Sequence, residues 1–210
     1  MSIIPLSLYV HFPWCLNKCP YCDFNSSNLP NREIIPGYVD RLLFDMEMEI
    51  INNLNLRIHT GRHSRMSLAG IQKKPELKSI YFGGGTPSLL SPEEVRKIIG
   101  FVKGYFDFAE DIEISLEANS KTVDLDLSKG FKEAGINRLS VGVQSFNDTQ
   151  LKKIQRVHDA KQALEAVKTV KLAGFDNFNI DLMFGLPNQE IKDTVLDLET
   201  ALNFSPNHLS

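Results

Sequence analysis

The chain has 210 residues, 42% of them hydrophobic and 23% charged, which is the composition of an ordinary globular protein and excludes global disorder or a fibrous repeat. A formal charge of −3 offers no excess of Lys and Arg for gripping a polyanion, so no nucleic-acid partner is expected. The only cysteines, Cys15, Cys19 and Cys22, crowd into one short stretch, where a secreted disulfide framework would spread an even number along the chain. That crowding points to a reducing compartment, the cytoplasm, and to a metal or cluster.

The first ten residues have neither the cationic start nor the apolar core of a secretory signal. No apolar run approaches the roughly 20 residues of a membrane helix, so no transmembrane segment is expected and only peripheral membrane association stays open. In chain order, Ser7–Phe12 reads as a strand rich in apolar and aromatic residues. A helix follows, with Val39, Leu42, Leu43, Met46, Ile50 and Leu54 on one stripe and Pro36 in its opening turn. Residues 56–75 carry Arg57, Arg62, Arg65, Lys73, Lys74, His59 and His63 without a single acid, and read as a basic surface insertion.

The rhythm then becomes regular. Strand Ser79–Phe82 precedes a helix that opens on Ser91-Pro-Glu-Glu94, a capping box with Pro at the first helical position, and continues with Val95, Ile98, Ile99 and Val102 on one face. Strands Glu113–Glu117 and Arg138–Val143 flank a helix closed by Gly135; a further helix closed by Gly174 leads into strand Asn177–Phe184. A fifth helix runs from about Glu190 to Leu202, and a sixth strand is due after Pro206, at His208–Ser210. Such βα alternation implies an α/β fold with a parallel sheet and right-handed crossovers, either doubly wound or curled as a barrel. Functional groups belong at the carboxyl ends of its strands.

Cys15-x3-Cys19-x2-Cys22 places three soft thiols on one loop directly after the first strand. Thiolates select zinc, Cu(I) or iron–sulfur clusters, and closed sites want four protein ligands. Two readings follow: a zinc site completed by His11, or a cluster with one iron left free for another ligand. Gly83-Gly-Gly-Thr-Pro87 after a strand lets backbone amides approach an anion, or simply forms a tight turn. Glu117, Gln144 and Asp181 stand at or near the carboxyl ends of three different strands, where polar residues converge on a common mouth or merely cap loops.

The cysteine spacing, with Tyr21 before the last cysteine, resembles the signature of the radical S-adenosylmethionine superfamily. The longer string Ser7 to Asn25, with Gly83–Pro87, Glu113–Asn119, Asn137–Phe146 and Asn179–Pro187, resembles one branch of it. That branch contains oxygen-independent coproporphyrinogen III oxidase and the heme chaperone family HemW. The resemblance covers nearly the whole chain except the basic insertion. It implies a partial (β/α)6 barrel of parallel strands with about five βα units, a single core domain over residues 1–210 that stops at the sixth strand.

The resemblance also implies a [4Fe–4S] cluster on Cys15, Cys19 and Cys22, with S-adenosylmethionine on its fourth iron. Reduction of the sulfonium would then release methionine and a 5′-deoxyadenosyl radical. Tyr9, Tyr21, Gly84, Gly85, Thr86, Glu117, Gln144, Arg156 and Asp181 are implied as partners of S-adenosylmethionine. The oxidase pattern has a further cysteine two positions after the third, where this chain has Phe24, and this favours the heme-chaperone branch. Implied with it are heme as ligand, respiratory hemoproteins as recipients and a reducing electron donor, while porphyrinogen oxidase activity is not expected. The alternatives are the oxidase itself and an inactive or zinc-stapled fragment. The branch's carboxy-terminal His-Asn-x-x-Tyr-Trp element is not among these residues, so heme ligands are expected beyond Ser210.

Overall fold

The computed structural model describes residues 5–53 and 74–210. The basic stretch 56–75, with His59 and His63, therefore lies outside the described residues save for Lys74 and Pro75, as does Leu54 of the first helical stripe. The chain begins with β1 (Leu6–Phe12), two short strands β2 (Trp14–Cys15) and β3 (Ser27–Asn28), and α1 (Ile35–Asn53). It continues through β4 (Glu76–Gly84), α2 (Pro92–Tyr105), β5 (Asp107–Asn119), α3 (Leu125–Ala134) and β6 (Arg138–Gln144). Helices α4 (Asp148–Lys153) and α5 (Ala160–Leu172), strand β7 (Phe178–Leu182), α6 (Ile191–Leu202) and β8 (His208–Leu209) complete it.

Six strands form one sheet in the order β1-β4-β5-β6-β7-β8, every pair parallel. A doubly wound sheet reverses its strand order part-way along. Here each strand lies beside its predecessor, so right-handed crossovers place the helices on one face. The packing agrees: Ile98 and Val102 of α2, Phe131 of α3 and Val167 and Val170 of α5 share a core with Phe82, Leu116, Val141 and Ile180 of the sheet. Period-two alternation divides each strand between the faces, so that Leu139, Val141 and Val143 of β6 are buried under helices while Gly142 and Gln144 turn away from them.

Local chemistry sets the boundaries. Ser91 Oγ accepts from Glu94 N at 3.2 Å and Glu94 Oε2 accepts from Ser91 N at 2.7 Å, a reciprocal cap that stabilises the start of α2 by about 1 kcal/mol. Gly135 and Gly174 take φ of 112° and 85° as α3 and α5 end, conformations that cost residues with a Cβ. β5 runs longer than its apolar core suggests because its first residues pair with β4 and its last with β6. Helix α4 has no periodic signal in its six residues and forms because Asn147 accepts from the peptides of Thr149 and Gln150.

Candidate functional site

A cleft of about 450 Å³ opens at the carboxyl ends of the strands, within the size range of small-molecule sites. Its floor is the helix-free face of the sheet: Tyr81 from β4, Glu117 from β5, Ser140 and Gly142 from β6, and Asn179 and Asp181 from β7. One wall is the loop that carries Cys15, Cys19 and Cys22, all three of which line the cleft.

That loop is closed at its base and tied to the sheet. β2 pairs with β3, Leu29 N donates to Cys15 O at 2.8 Å, and Lys18 N donates to Asn28 Oδ1 at 2.6 Å. Cys22 N donates to Cys19 O at 3.0 Å in a tight turn, and both residues line the cleft. Gly85 N donates to Phe12 O at 2.6 Å and Thr86 N to Trp14 O at 2.8 Å, so the turn after β4 is stitched to the segment leading into Cys15. A Cβ on Gly85 would sit 2.4 Å from Trp14 O; only glycine permits this approach. Gly84 N donates to Glu117 Oε2 at 3.2 Å. The three peptides of Gly84, Gly85 and Thr86 are thus spent on protein partners and make no anion cradle.

The two carboxylates are half-buried and each is held by more than one hydrogen bond. Glu117 accepts from Tyr81 Oη at 2.7 Å as well as from Gly84 N, while Asp181 accepts from Asn179 Nδ2 at 2.6 Å and Ser140 Oγ at 3.2 Å. Burial nevertheless pushes both acids above their ordinary values, because the hydrogen bonds offset only part of the lost hydration. Each would be relieved by a cation arriving in the cleft. Arg156 spans from sheet to loop: its guanidinium donates to Gly142 O at 2.7 Å, to Tyr21 Oη at 3.3 Å and to Cys19 Sγ at 3.6 Å, and its buried Nε has no protein partner. Burial pushes the Tyr21 hydroxyl up to about 12.

The structure gathers Tyr21, Gly85, Thr86, Glu117, Gln144, Arg156 and Asp181 with the three cysteines around this one cleft. Gly84 contributes through its bond to Glu117 rather than by lining it. Tyr9 stands behind Tyr81, stacked on it at 6.1 Å, with its hydroxyl against His11 Nδ1 at 3.2 Å. Sequence reasoning missed Tyr81, Arg138, Ser140, Asn179 and Ser210, which also line the cleft. Ser140 and Asn179 each stand two residues from a singled-out position or its neighbour on the same strand face, and that spacing was the signal that could have found them.

Residues 9–199 match the family model of the Radical SAM superfamily. The chain belongs to the radical SAM superfamily. It is 43% identical to the heme chaperone HemW of Haemophilus influenzae over 98% of its own length and 50% of that protein's, and 40% identical to HemW of Escherichia coli over 100% and 50%. Among solved structures it resembles the coproporphyrinogen III oxidase HemN of Escherichia coli, a radical SAM enzyme, with a TM-score of 0.76 and 29% identity over 98% of this chain and 43% of that one. The chain spans about half the length of the curated relatives it matches.

Radical SAM membership implies a [4Fe–4S] cluster and S-adenosylmethionine, and the donor set fits both. Three thiols share one loop, and His11, the candidate fourth ligand of a zinc site, has both ring nitrogens engaged, Nε2 with Asn25 O at 2.8 Å and Nδ1 with Tyr9. Among the described residues, no three His, Cys, Asp or Glu side chains close on a single metal ion. S-adenosylmethionine presents a sulfonium, an ammonium, a carboxylate and a ribose diol, and needs acceptors and donors side by side. Glu117, Asp181, Gln144 and the Arg156 guanidinium supply that mixture in one cleft.

Proposed function

We propose that this chain is the cluster- and S-adenosylmethionine-binding part of a HemW-type heme chaperone, a protein that binds heme and passes it to respiratory hemoproteins with the help of a reducing electron donor. The observation that carries the proposal is the convergence of Cys15, Cys19 and Cys22 with Glu117, Asp181 and Arg156 on one cleft. In this reading the three thiolates hold three irons of a [4Fe–4S] cluster, with Tyr9, Tyr21, Gly84, Gly85, Thr86, Gln144 and Arg156 shaping the S-adenosylmethionine site beside it. When bound, the pair supplies one-electron reduction of the sulfonium. Glu117 and Asp181 attract the cationic groups, and Arg156 orients the carboxylate. Heme ligation would rest on the family's carboxy-terminal element, which these 210 residues do not contain. No helix among the described residues is long and apolar enough to cross a membrane.

Anaerobic reconstitution tests the reading. About four irons and four sulfides per chain are expected, lost with Cys15→Ala, Cys19→Ala or Cys22→Ala. Stoichiometric zinc without iron uptake would sink it. The second reading is the porphyrinogen oxidase, favoured by the likeness to HemN. Phe24 speaks against it, since the residue at the cleft mouth is a 59% exposed phenyl ring where the oxidase pattern carries a cysteine. Oxygen-independent conversion of coproporphyrinogen III by the reconstituted protein would put the oxidase first.

A further inference from the structure

The end of β6 is held in an unusual conformation by buried polar groups from several elements. Gln144, its last residue, has φ of 71°, a left-handed conformation that costs a non-glycine residue on the order of 1 kcal/mol and persists only where its surroundings over-determine it. Those surroundings are explicit. Gly142 O accepts from Arg156 and from Ser120 Oγ at 3.1 Å, Val143 O faces His158 Nε2 at 3.1 Å, and Gln144 O accepts from Met183 N at 2.8 Å. The two residues that follow are gripped by one carboxylate. Asp197 of α6 accepts from Ser145 Oγ at 2.7 Å through Oδ2 and from Phe146 N at 2.7 Å through Oδ1.

Asp197 is only 3% exposed and Ser145 is fully buried. A buried carboxylate is costly unless its oxygens are paired, and here both are paired to the turn that leaves Gln144. Asp197 shares the buried side of α6 with the apolar Ala201, so its carboxylate is the polar group that this helix contributes to the layer interface. What the acid does is define where the chain goes after β6: Ser145 is drawn inward, Phe146 N is fixed, and the residue before them must turn left-handed to meet both constraints. Gln144 thereby faces the cleft beside Gly142, where a Cβ would come within 3.0 Å of its amide nitrogen.

We propose that Asp197 is a positioning residue for ligand binding: by anchoring Ser145 and Phe146 from the helix layer, it holds Gln144 in its left-handed conformation so that the side-chain amide faces the bound S-adenosylmethionine. This rests on the proposal that S-adenosylmethionine occupies the cleft. It assigns a role to a residue that lines no part of the cleft and acts through the strand end.

Two readouts are taken on reconstituted protein and on the variants Asp197→Asn and Ser145→Ala: the dissociation constant for S-adenosylmethionine by calorimetry, and the backbone Cα chemical shift of Gln144 in the ligand-free state by nuclear magnetic resonance. Melting temperature and iron content serve as controls on fold and cluster. Asp197→Asn keeps the side-chain shape but removes the charge and replaces the oxygen that accepts from Ser145 Oγ with an amide donor, and Ser145→Ala removes the same contact from the other side. The expected result is a loss of left-handed shift at Gln144 together with at least a tenfold weaker affinity and unchanged iron content, with Asp197→Glu restoring part of both. A merely structural role would lower the melting temperature without moving Gln144. Affinity unchanged in the variants, or weakened while the Gln144 shift stays put, overturns the proposal. If unaltered protein binds no S-adenosylmethionine, the functional reading fails instead, and an unmoved Gln144 shift in both variants overturns this inference separately.

Discussion

The two faces of the one sheet are built from the same strands and do opposite things. On the helix-covered face, Phe82, Leu116, Val141 and Ile180 are fully buried among aliphatic side chains, and their contribution is the removal of apolar area from water, about 25 cal/mol per Å². On the open face, one residue along each strand, Tyr81, Glu117, Ser140 and Asp181 form a polar network around a cleft. Two of its acids are pushed up in pKa by burial, so this face spends stability to hold groups ready for a ligand. The pleat lets both coexist without compromise, since successive side chains cannot exchange faces without a register slip.

The comparison breaks first where the covered face is cut. Phe82→Ala removes a ring that is wholly buried and should cost about 3–5 kcal/mol by chemical denaturation; a loss below about 1 kcal/mol would show that stability is not concentrated there. The next effect separates the faces by pH. His158 is buried, its pKa pushed down to about 4 by desolvation and by the Arg156 guanidinium. The unfolded chain takes up that proton near pH 6.5 and the folded one only near 4, so stability present at neutral pH is lost as pH falls through this window, by up to about 3 kcal/mol. His158→Gln keeps a donor for Val143 O, and its denaturation midpoint should fall less steeply between pH 6.5 and 4; parallel pH profiles would refute the assignment.

A smaller stability change should carry a larger functional one. Gly85→Ala drives a methyl into the Trp14 backbone and should cost about 1–3 kcal/mol, while displacing the segment that presents Cys15, so that iron bound after reconstitution drops well below that of unaltered protein. Full iron loading would show that the close approach is dispensable. The smallest shift belongs to the open face itself. Glu117→Gln removes a charge that burial disfavours but leaves one oxygen to serve both Tyr81 Oη and Gly84 N, which Glu117 accepts on separate atoms. Stability should stay within about 1 kcal/mol of the parent, with affinity for S-adenosylmethionine reduced; the reverse pattern would move Glu117 from the site to the scaffold.

Much of the covered face is legible in the sequence because its information is local and periodic. Leu139, Val141 and Val143 announce their side of β6 at a spacing of two, and Ser91 with Glu94 announces the start of α2. The open face is legible only where a residue's chemistry is unusual for a strand end, as at Glu117, Gln144 and Asp181. Ser140, Asn179 and Tyr81 are common strand residues; period-two spacing places Ser140 and Asn179 on the open face, but nothing local says that these side chains are hydrogen-bonded to an acid. The use of the Gly84–Thr86 peptides depends on how closely the cysteine segment approaches, which is a tertiary fact. Asp197 lies within an ordinary amphipathic helix, and only the packed structure shows its carboxylate buried against the turn after β6.

Strand order has a temporal consequence. Because β4 docks on β1 and each strand from β5 onward lies beside the one before it, a ribosome delivers the strands in the sequence in which the sheet adds them, and each growth step needs only the edge already in place. The cysteine segment, made before β4, meets the Gly85 turn once β4 has docked, but its contact with Arg156 spans 137 residues. The site is therefore finished late, after β7 has supplied Asn179 and Asp181, and the thiols emerge long before their surroundings do. A metal ion captured during that interval meets an open loop rather than a shaped cleft, so selection of the right cofactor falls to the completed fold.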